Sequence, residues 1–242
     1  MVIYGINPVA EALRARKVLR LRVAGRSDRR MDEILELAAR QGVAVERADP
    51  QALERAARGG VHQGVVAEVE DARDYSIAEL VLPAEPAGHA PLLVVLDSIE
   101  DPHNVGAILR TCDAAGVSGV IRQERHSAAL DGVVGKASAG ALAHTRIATV
   151  VNIARAIEAL KDAHVWTIGL AGDAPEAYTD VDWTLPSAIV LGAEGTGLRR
   201  LVRETCDRLV RIPMQGHVGS LNVSVAAGVV LYEVVRQRGK KS

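Results

Sequence analysis

A chain of 242 residues is long enough for one large or two small domains with a real hydrophobic core. Apolar residues make up 48% and charged residues 24%, which excludes a disordered polymer; with no Phe, four Tyr and two Trp, the core must be aliphatic and stacking of bases on aromatic side chains is not expected as a main source of affinity. The net charge of −1 lacks the global basic footprint of a protein that holds nucleic acid by bulk electrostatics.

The first part of the chain, residues 1–83, reads as a small α/β module. Asn7-Pro8 suits a helix start, because Asn can cap and Pro fits the first turn, and Val9, Ala12 and Leu13 supply the apolar stripe. Leu19, Leu21 and Val23 alternate with Arg20 and Arg22, the pattern of a strand with one wet, basic face. Met31, Ile34, Leu35 and Ala38 fall at helical spacing up to Gln41, and Gly42 ends that helix. Val43 and Val45 begin another strand, a short helix follows near Gln51 to Arg58, and Gly64 to Ala67 opens a further strand. Between Arg14 and Arg30 stand eight cations (Arg14, Arg16, Lys17, Arg20, Arg22, Arg26, Arg29 and Arg30) against one acid, Asp28. A solvated face and a phosphate-contacting strip account for that run equally well.

Residues 84–91 hold prolines and no periodicity and read as a linker. From 92 to 242 a second α/β pattern follows. Its apolar runs, Leu92–Leu96, Gly119–Ile121, Val165–Ile168, Ala188–Leu191 and Leu209–Ile212, are separated by helical segments, which predicts a parallel sheet covered on both faces. Ligands of such sheets bind beyond the carboxyl ends of the strands.

Three loops after these strands carry unusual residues. In the first, DPHNVGAILR, Asn104 suits a helix cap, and Arg110 lies about 240° around the helix from it. Spacing alone favours a cap and a solvated arginine over two groups bordering one cleft. In the second, GAEGTGLRR, three glycines within six residues let the backbone approach a ligand, although tight turns alone would also explain them. Their order is G-x-x-G-x-G, which is neither the dinucleotide fingerprint nor a phosphate-binding loop, and this argues against a nucleotide-dependent oxidoreductase. In the third, PMQGHVGSLNVSVAAG, a glycine-bearing loop enters a helix running to about Arg238, with Ser220 or Asn222 as its cap.

The N-terminus shows no basic segment leading into an apolar one, and no apolar run approaches the roughly 20 residues a membrane span needs. Cys112 and Cys206 lie far apart and outside any C-x-x-C pair, so reduced thiols, a cytoplasmic location and no metal site are expected.

Together the loops resemble the three motifs of the SpoU (TrmH) branch of the SPOUT methyltransferases: DPHNVGAILRTCDAAGV the first, LGAEGTGLRRL the second and IPMQGHVGSLNVSVAAGVVLYE the third. YGINPVAEAL and VHQGVVA resemble the small RNA-binding domain that precedes the catalytic one in many members, so the resemblance covers nearly the whole chain. It implies an α/β catalytic domain with a deep trefoil knot near the C-terminus, a rare exception to the rule against threaded chains. It also implies a homodimer with active sites completed across the interface, and S-adenosylmethionine bound in a bent shape. Carried over, Asn104 and Arg110 face the RNA and the reacting hydroxyl, and Glu194, Ser220 and Asn222 complete the polar site. Gly192, Ile212 and Leu221 hold the cofactor, largely through main chain, with Met214 packing nearby. The implied reaction is 2′-O-methylation of a ribose in RNA. A guanosine of 23S ribosomal RNA is the first expectation, with a transfer RNA nucleotide, or a non-catalytic RNA-binding protein, as alternatives. A guanidinium, which stays protonated at any physiological pH, is a poor resting base, so Arg110 is expected to orient the hydroxyl and a neighbouring phosphate rather than take the proton.

Overall fold

The structure is a computed structural model describing residues 1–25, 28–70, 73–82 and 90–239. Most of the expected linker 84–91, and Arg26 of the basic run, lie outside the described residues. The chain divides into two compact units. One gathers Met1–Ala72 with Val105–Arg110 and Ala129–His144, and the other gathers Arg73–Asn104, Thr111–Ala128 and Thr145–Ser242.

In the first unit, strands β1 (Val2–Tyr4), β2 (Val18–Val23), β3 (Ala44–Arg47) and β4 (Val65–Val69) form a mixed sheet of order β1-β4-β2-β3. Helices α1 (Ile6–Arg14), α2 (Arg29–Gln41) and α3 (Pro50–Ala56) accompany it. Val9, Leu13, Leu21, Ile34, Val65 and Ala67 share one buried core. The helix over Met31 to Gln41 is present with the expected glycine stop, Gly42 at φ 68°, and its cap is Asp28, whose carboxylate accepts the Met31 N–H at 2.9 Å. Two local expectations are corrected. Asn7 caps nothing: α1 starts one residue earlier, after Gly5, whose φ of 95° turns the chain without a side-chain cap. Leu19 is 60% exposed rather than buried, because the register of β2 against β4 shifts between Val18 and Arg20 and gives the inward position to Val18. The basic run is also partly neutralised. Arg14 pairs with Glu11, and Arg22 lies 2.6 Å from Glu68 and 3.6 Å from Glu46.

The second unit is built on a sheet whose pairings are all parallel. Along the chain come α4 (Ile77–Val81), β5 (Leu92–Asp97), α5 (Pro102–Ala114), β6 (Gly119–Gln123), α6 (Gly132–Ala137, grouped with the first unit), β7 (Ile147–Val150) and α7 (Ile153–Asp162). Then follow β8 (Trp166–Leu170), β9 (Glu176–Ala177), β10 (Ser187–Gly192), α8 (Arg200–Thr205), β11 (Arg208–Arg211) and α9 (Val223–Gly239). The seven strands run in the order β7-β6-β5-β10-β8-β11-β9. All five apolar runs read as strands are strands, and β7 and the short β9 extend the edges. On one face Leu93, Val95, Ile121 and Val190 pack against Leu80 of α4, Ile153, Ile157 and Leu160 of α7, and Val202 of α8. Helix α9 buries Ala227, Val230, Leu231 and Val234 and contacts β10. The strand order reverses between β5 and β10, so that boundary is the switch point where a parallel sheet opens a crevice at its carboxyl edge. No helix among the described residues is long and apolar enough to cross a membrane.

At the start of β11 the sheet is fastened by Asp207. Its carboxylate accepts the Thr167 N–H at 2.9 Å and the Thr167 hydroxyl at 2.7 Å, and lies 3.1 Å from Lys161 Nζ. Burial alone would push its pKa up, but the Thr167 amide and hydroxyl and the Lys161 ammonium outweigh it and hold the group below its ordinary 3.8. A carboxylate depressed in the folded state stabilises the fold above the unfolded pKa and loses that contribution as pH falls through the folded value. Asp207→Asn is therefore expected to lower Tm by a constant amount at neutral and mildly acidic pH, with the deficit shrinking below pH 3.8. Thermal scans of both proteins into strong acid check this; a deficit that persists there would mean that the charge plays no part.

Candidate active site

The carboxyl ends of β8, β10 and β11 surround a cavity of about 560 Å³, within the range that holds a cofactor-sized ligand. Its walls come from Leu170–Asp173 after β8, Leu191–Leu198 after β10, Val210–Ile212 and Met214 after β11, Arg203 of α8, and Gly219–Val223 with Ala226 at the start of α9. Gly192 is required by close approach: a Cβ there would lie 2.2 Å from the Gly197 carbonyl carbon, because the loop folds back and Ala193 bridges Gly197. Gly195 and Gly197 take φ values of 80° and 68°, conformations that L side chains rarely adopt. The same loop therefore needs its glycines for its own path and presents bare main chain to the cavity.

Asn222 is where the three sequence loops meet. Its Oδ1 accepts the N–H of Ser224 at 2.9 Å and of Val225 at 3.4 Å, which makes it the cap of α9. Its Nδ2 donates to Asn104 Oδ1 at 2.9 Å and to Glu194 Oε1. Asn104 is buried at 7% exposure in the first turn of α5, where the cap is Asp101, accepting the His103 N–H at 2.9 Å, and not Asn104 as its spacing suggested. Freed from capping, the Asn104 amide is available to Asn222.

Of the residues read from sequence, Gly192, Glu194, Ile212, Met214, Ser220, Leu221 and Asn222 all line this one cavity, and Asn104 joins it through Asn222. Arg110 does not. It is exposed on α5 and is not among the lining residues. Sequence reading missed the segment after β8. There Arg203 holds Asp173 through two hydrogen bonds, of 2.8 and 3.0 Å, and Arg211 donates to the Ala174 carbonyl at 2.6 Å. The Arg203 guanidinium keeps the Asp173 carboxyl below its ordinary range. The signal was available, since this segment also follows the carboxyl end of a parallel strand.

A cavity of this size suits an organic cofactor, with aliphatic walls at Leu170, Ile212, Met214 and Leu221 and glycine main chain between them. Of the two carboxylates on its walls, Asp173 is neutralised by Arg203, while Glu194 meets the Asn222 amide. Residues 91–232 match the family model described as "SpoU rRNA Methylase family", and residues 2–75 match "RNA 2'-O ribose methyltransferase substrate binding". The chain belongs to the SpoU rRNA methylase family. It is 44% identical to the 23S rRNA (guanosine-2'-O-)-methyltransferase RlmB of Yersinia pestis, over 100% of this chain and 99% of that one. To the protein of the same name from Vibrio cholerae serotype O1 it is 46% identical, over 98% and 97% of the two chains. Among solved structures it resembles the SpoU methyltransferase AviRb from Streptomyces viridochromogenes in complex with AdoMet, with a TM-score of 0.83, 26% identity, and coverage of 99% of this chain and 91% of that one.

For this SpoU family member the Asn222 junction gives a direct test. Asn222→Asp keeps the acceptor that caps α9 but sets a carboxylate oxygen against Glu194. The Asn222–Glu194 contact is exposed, so the repulsion is screened by water and costs about 0.2–1 kcal/mol. Denaturation should show a loss of that size, and Asn222→Asp with Glu194→Gln together should recover most of it. A double variant no more stable than Asn222→Asp alone would remove Glu194 from the junction.

Proposed function

We propose that the protein transfers a methyl group from S-adenosylmethionine to the 2′-hydroxyl of a guanosine in 23S ribosomal RNA. One observation carries the reading: Asn104, Glu194 and Asn222, one from each family motif, are joined by hydrogen bonds at the edge of a glycine-walled cavity. The names of the relatives matched along nearly their full length support the choice of RNA and nucleotide.

In this reading Gly192, Ile212 and Leu221 hold the cofactor largely through main chain, and Met214 packs beside it. Bound there, S-adenosylmethionine supplies a methyl already activated on a sulfonium, so the transfer depends on placement more than on a further electrophile. Glu194 attracts the donor's positive charge, whereas Asp173 is neutralised by Arg203. Asn104, Ser220 and Asn222 complete the polar rim, and Arg110 orients the ribose hydroxyl and an adjoining phosphate while another group or water takes the hydroxyl proton. The protein acts in the cytoplasm as a homodimer whose active sites are completed across the interface, and the C-terminal part of the chain forms a deep trefoil knot. Residues 1–83 serve as the substrate-binding domain, 84–91 as linker and 92–242 as the methyltransferase domain; the two family matches, 2–75 and 91–232, support that division.

Two experiments test this. In cells lacking the gene, mapping of 2′-O-methyl sites should show one guanosine of 23S RNA left unmodified, restored by the wild-type gene and not by Arg110→Ala. The purified Arg110→Ala protein should bind S-adenosylmethionine within a few-fold of wild type by calorimetry. Loss of a transfer RNA methyl instead would move the substrate, and turnover by the variant would remove Arg110 from the catalytic list.

In the basic run, Arg16, Arg20 and Arg30 are exposed, and no ion-pair partner stands beside them among the described residues. We assign these three to phosphate contacts. Arg16→Glu with Arg20→Glu should weaken RNA binding and flatten the dependence of log K on log salt by about two contacts, roughly 1.4 to 1.8 units. An unchanged slope would return the run to a solvated face.

A further inference from the structure

Asp97, the last residue of β5, is fully buried. Across the ladder its register partner is Gly192, the last residue of β10 and the start of the glycine loop. Its carboxylate reaches the other end of the same loop. Oδ2 accepts the backbone N–H of Arg199 at 2.9 Å, and Oδ1 accepts Arg199 Nε at 2.7 Å and lies 2.6 Å from Nη2. Arg199 Nη2 also donates to Gln123 Oε1 at 2.6 Å, and Gln123, the last residue of β6, is itself 5% exposed. One buried residue thus grips both ends of the segment Ala193–Leu198, which walls the cavity and carries Glu194. A buried carboxylate is expensive unless its oxygens are satisfied by charged and backbone donors, so this arrangement is not a neutral ornament of the fold.

We propose that Asp97 and Arg199 are the positioning pair of the site. They close the glycine loop on a single residue, and so set where its main chain meets the methyl donor and where Glu194 meets Asn222. Neither residue lines the cavity, and the pair acts through the loop. The inference rests on the donor occupying this cavity, so the test separates the two.

Four variants are compared: Arg199→Lys, Arg199→Met, Asp97→Asn and the double variant Asp97→Asn with Arg199→Met. Arg199→Lys keeps the charge beside Asp97, and should stay folded, but lacks the fork that reaches two partners at once. A cavity wall released from its anchor binds the donor less well because it must be ordered on binding, so each variant is expected to raise KM for S-adenosylmethionine by about tenfold, with KM for RNA unchanged. The double variant leaves no unpaired charge and should recover Tm while its donor KM stays high. Hydrogen exchange, read without any ligand, should quicken at Ala193–Leu198 in every variant and stay unchanged in α9. A purely structural role would instead make activity follow Tm with donor KM constant, and either that outcome or unchanged exchange in the loop overturns the proposal. If wild-type protein gives no heat with S-adenosylmethionine, the donor reading itself falls, and the assignment of the pair to donor placement falls with it, whatever the loop exchange shows.

Discussion

The candidate site depends on one side-chain amide, at which three loops of the second unit meet. Asn222 uses both of its ends: the oxygen starts α9, and the nitrogen joins Asn104 and Glu194. A net hydrogen bond is worth only about 1 kcal/mol, and of the three residues Asn104 is buried while Asn222 and Glu194 are exposed. The junction is therefore a point of geometry rather than a large source of stability. It requires that the start of α5, the glycine loop and the entry to α9 arrive together, and the sheet order meets that requirement. β5 and β10 are neighbours at the switch point, with β8 and β11 on the far side of β10. Loops distant in sequence open onto one edge because their strands are adjacent.

The glycine loop shows how a backbone requirement becomes a chemical one. Gly192 has no room for a side chain because Gly197 folds over it. Residues chosen to let the chain turn back on itself also leave amides and carbonyls uncovered, which suits a ligand recognised mostly by main chain. The segment after β8, which also lines the cavity, is held by arginines from α8 and β11.

The frame was legible from residue pattern where the physics is local. Continuous apolar runs such as Leu92–Leu96 and Ala188–Leu191 announce strands buried on both faces, and the helix from Met31 to Gln41 shows its stripe and its stop. β1, with three residues, and β9, with two, are too short to show a period. Leu19 was misread because a register shift breaks the alternation that period-two reasoning assumes. α4 is five residues long and is marked chiefly by the Ser76–Glu79 capping box, which an apolar-period reading does not weigh. The convergence at Asn222 lay beyond spacing arguments, since its partner Asn104 is 118 residues away; family resemblance, not periodicity, pointed to those residues. The Asp97–Arg199 contact had no sequence signal, because an acid ending one strand and an arginine after a turn are each ordinary.

That separation of 118 residues between Asn222 and Asn104 has a consequence for biogenesis. A growing chain leaving the ribosome can form its early strands and helices in turn, but the cofactor cavity lacks a wall and a rim until the entry to α9 has emerged. Small molecules that bind the finished cavity thus cannot shelter a half-made chain, and unfinished chains must rely on their own packing or on chaperones. Ligand protection begins only once the entry to α9 is out.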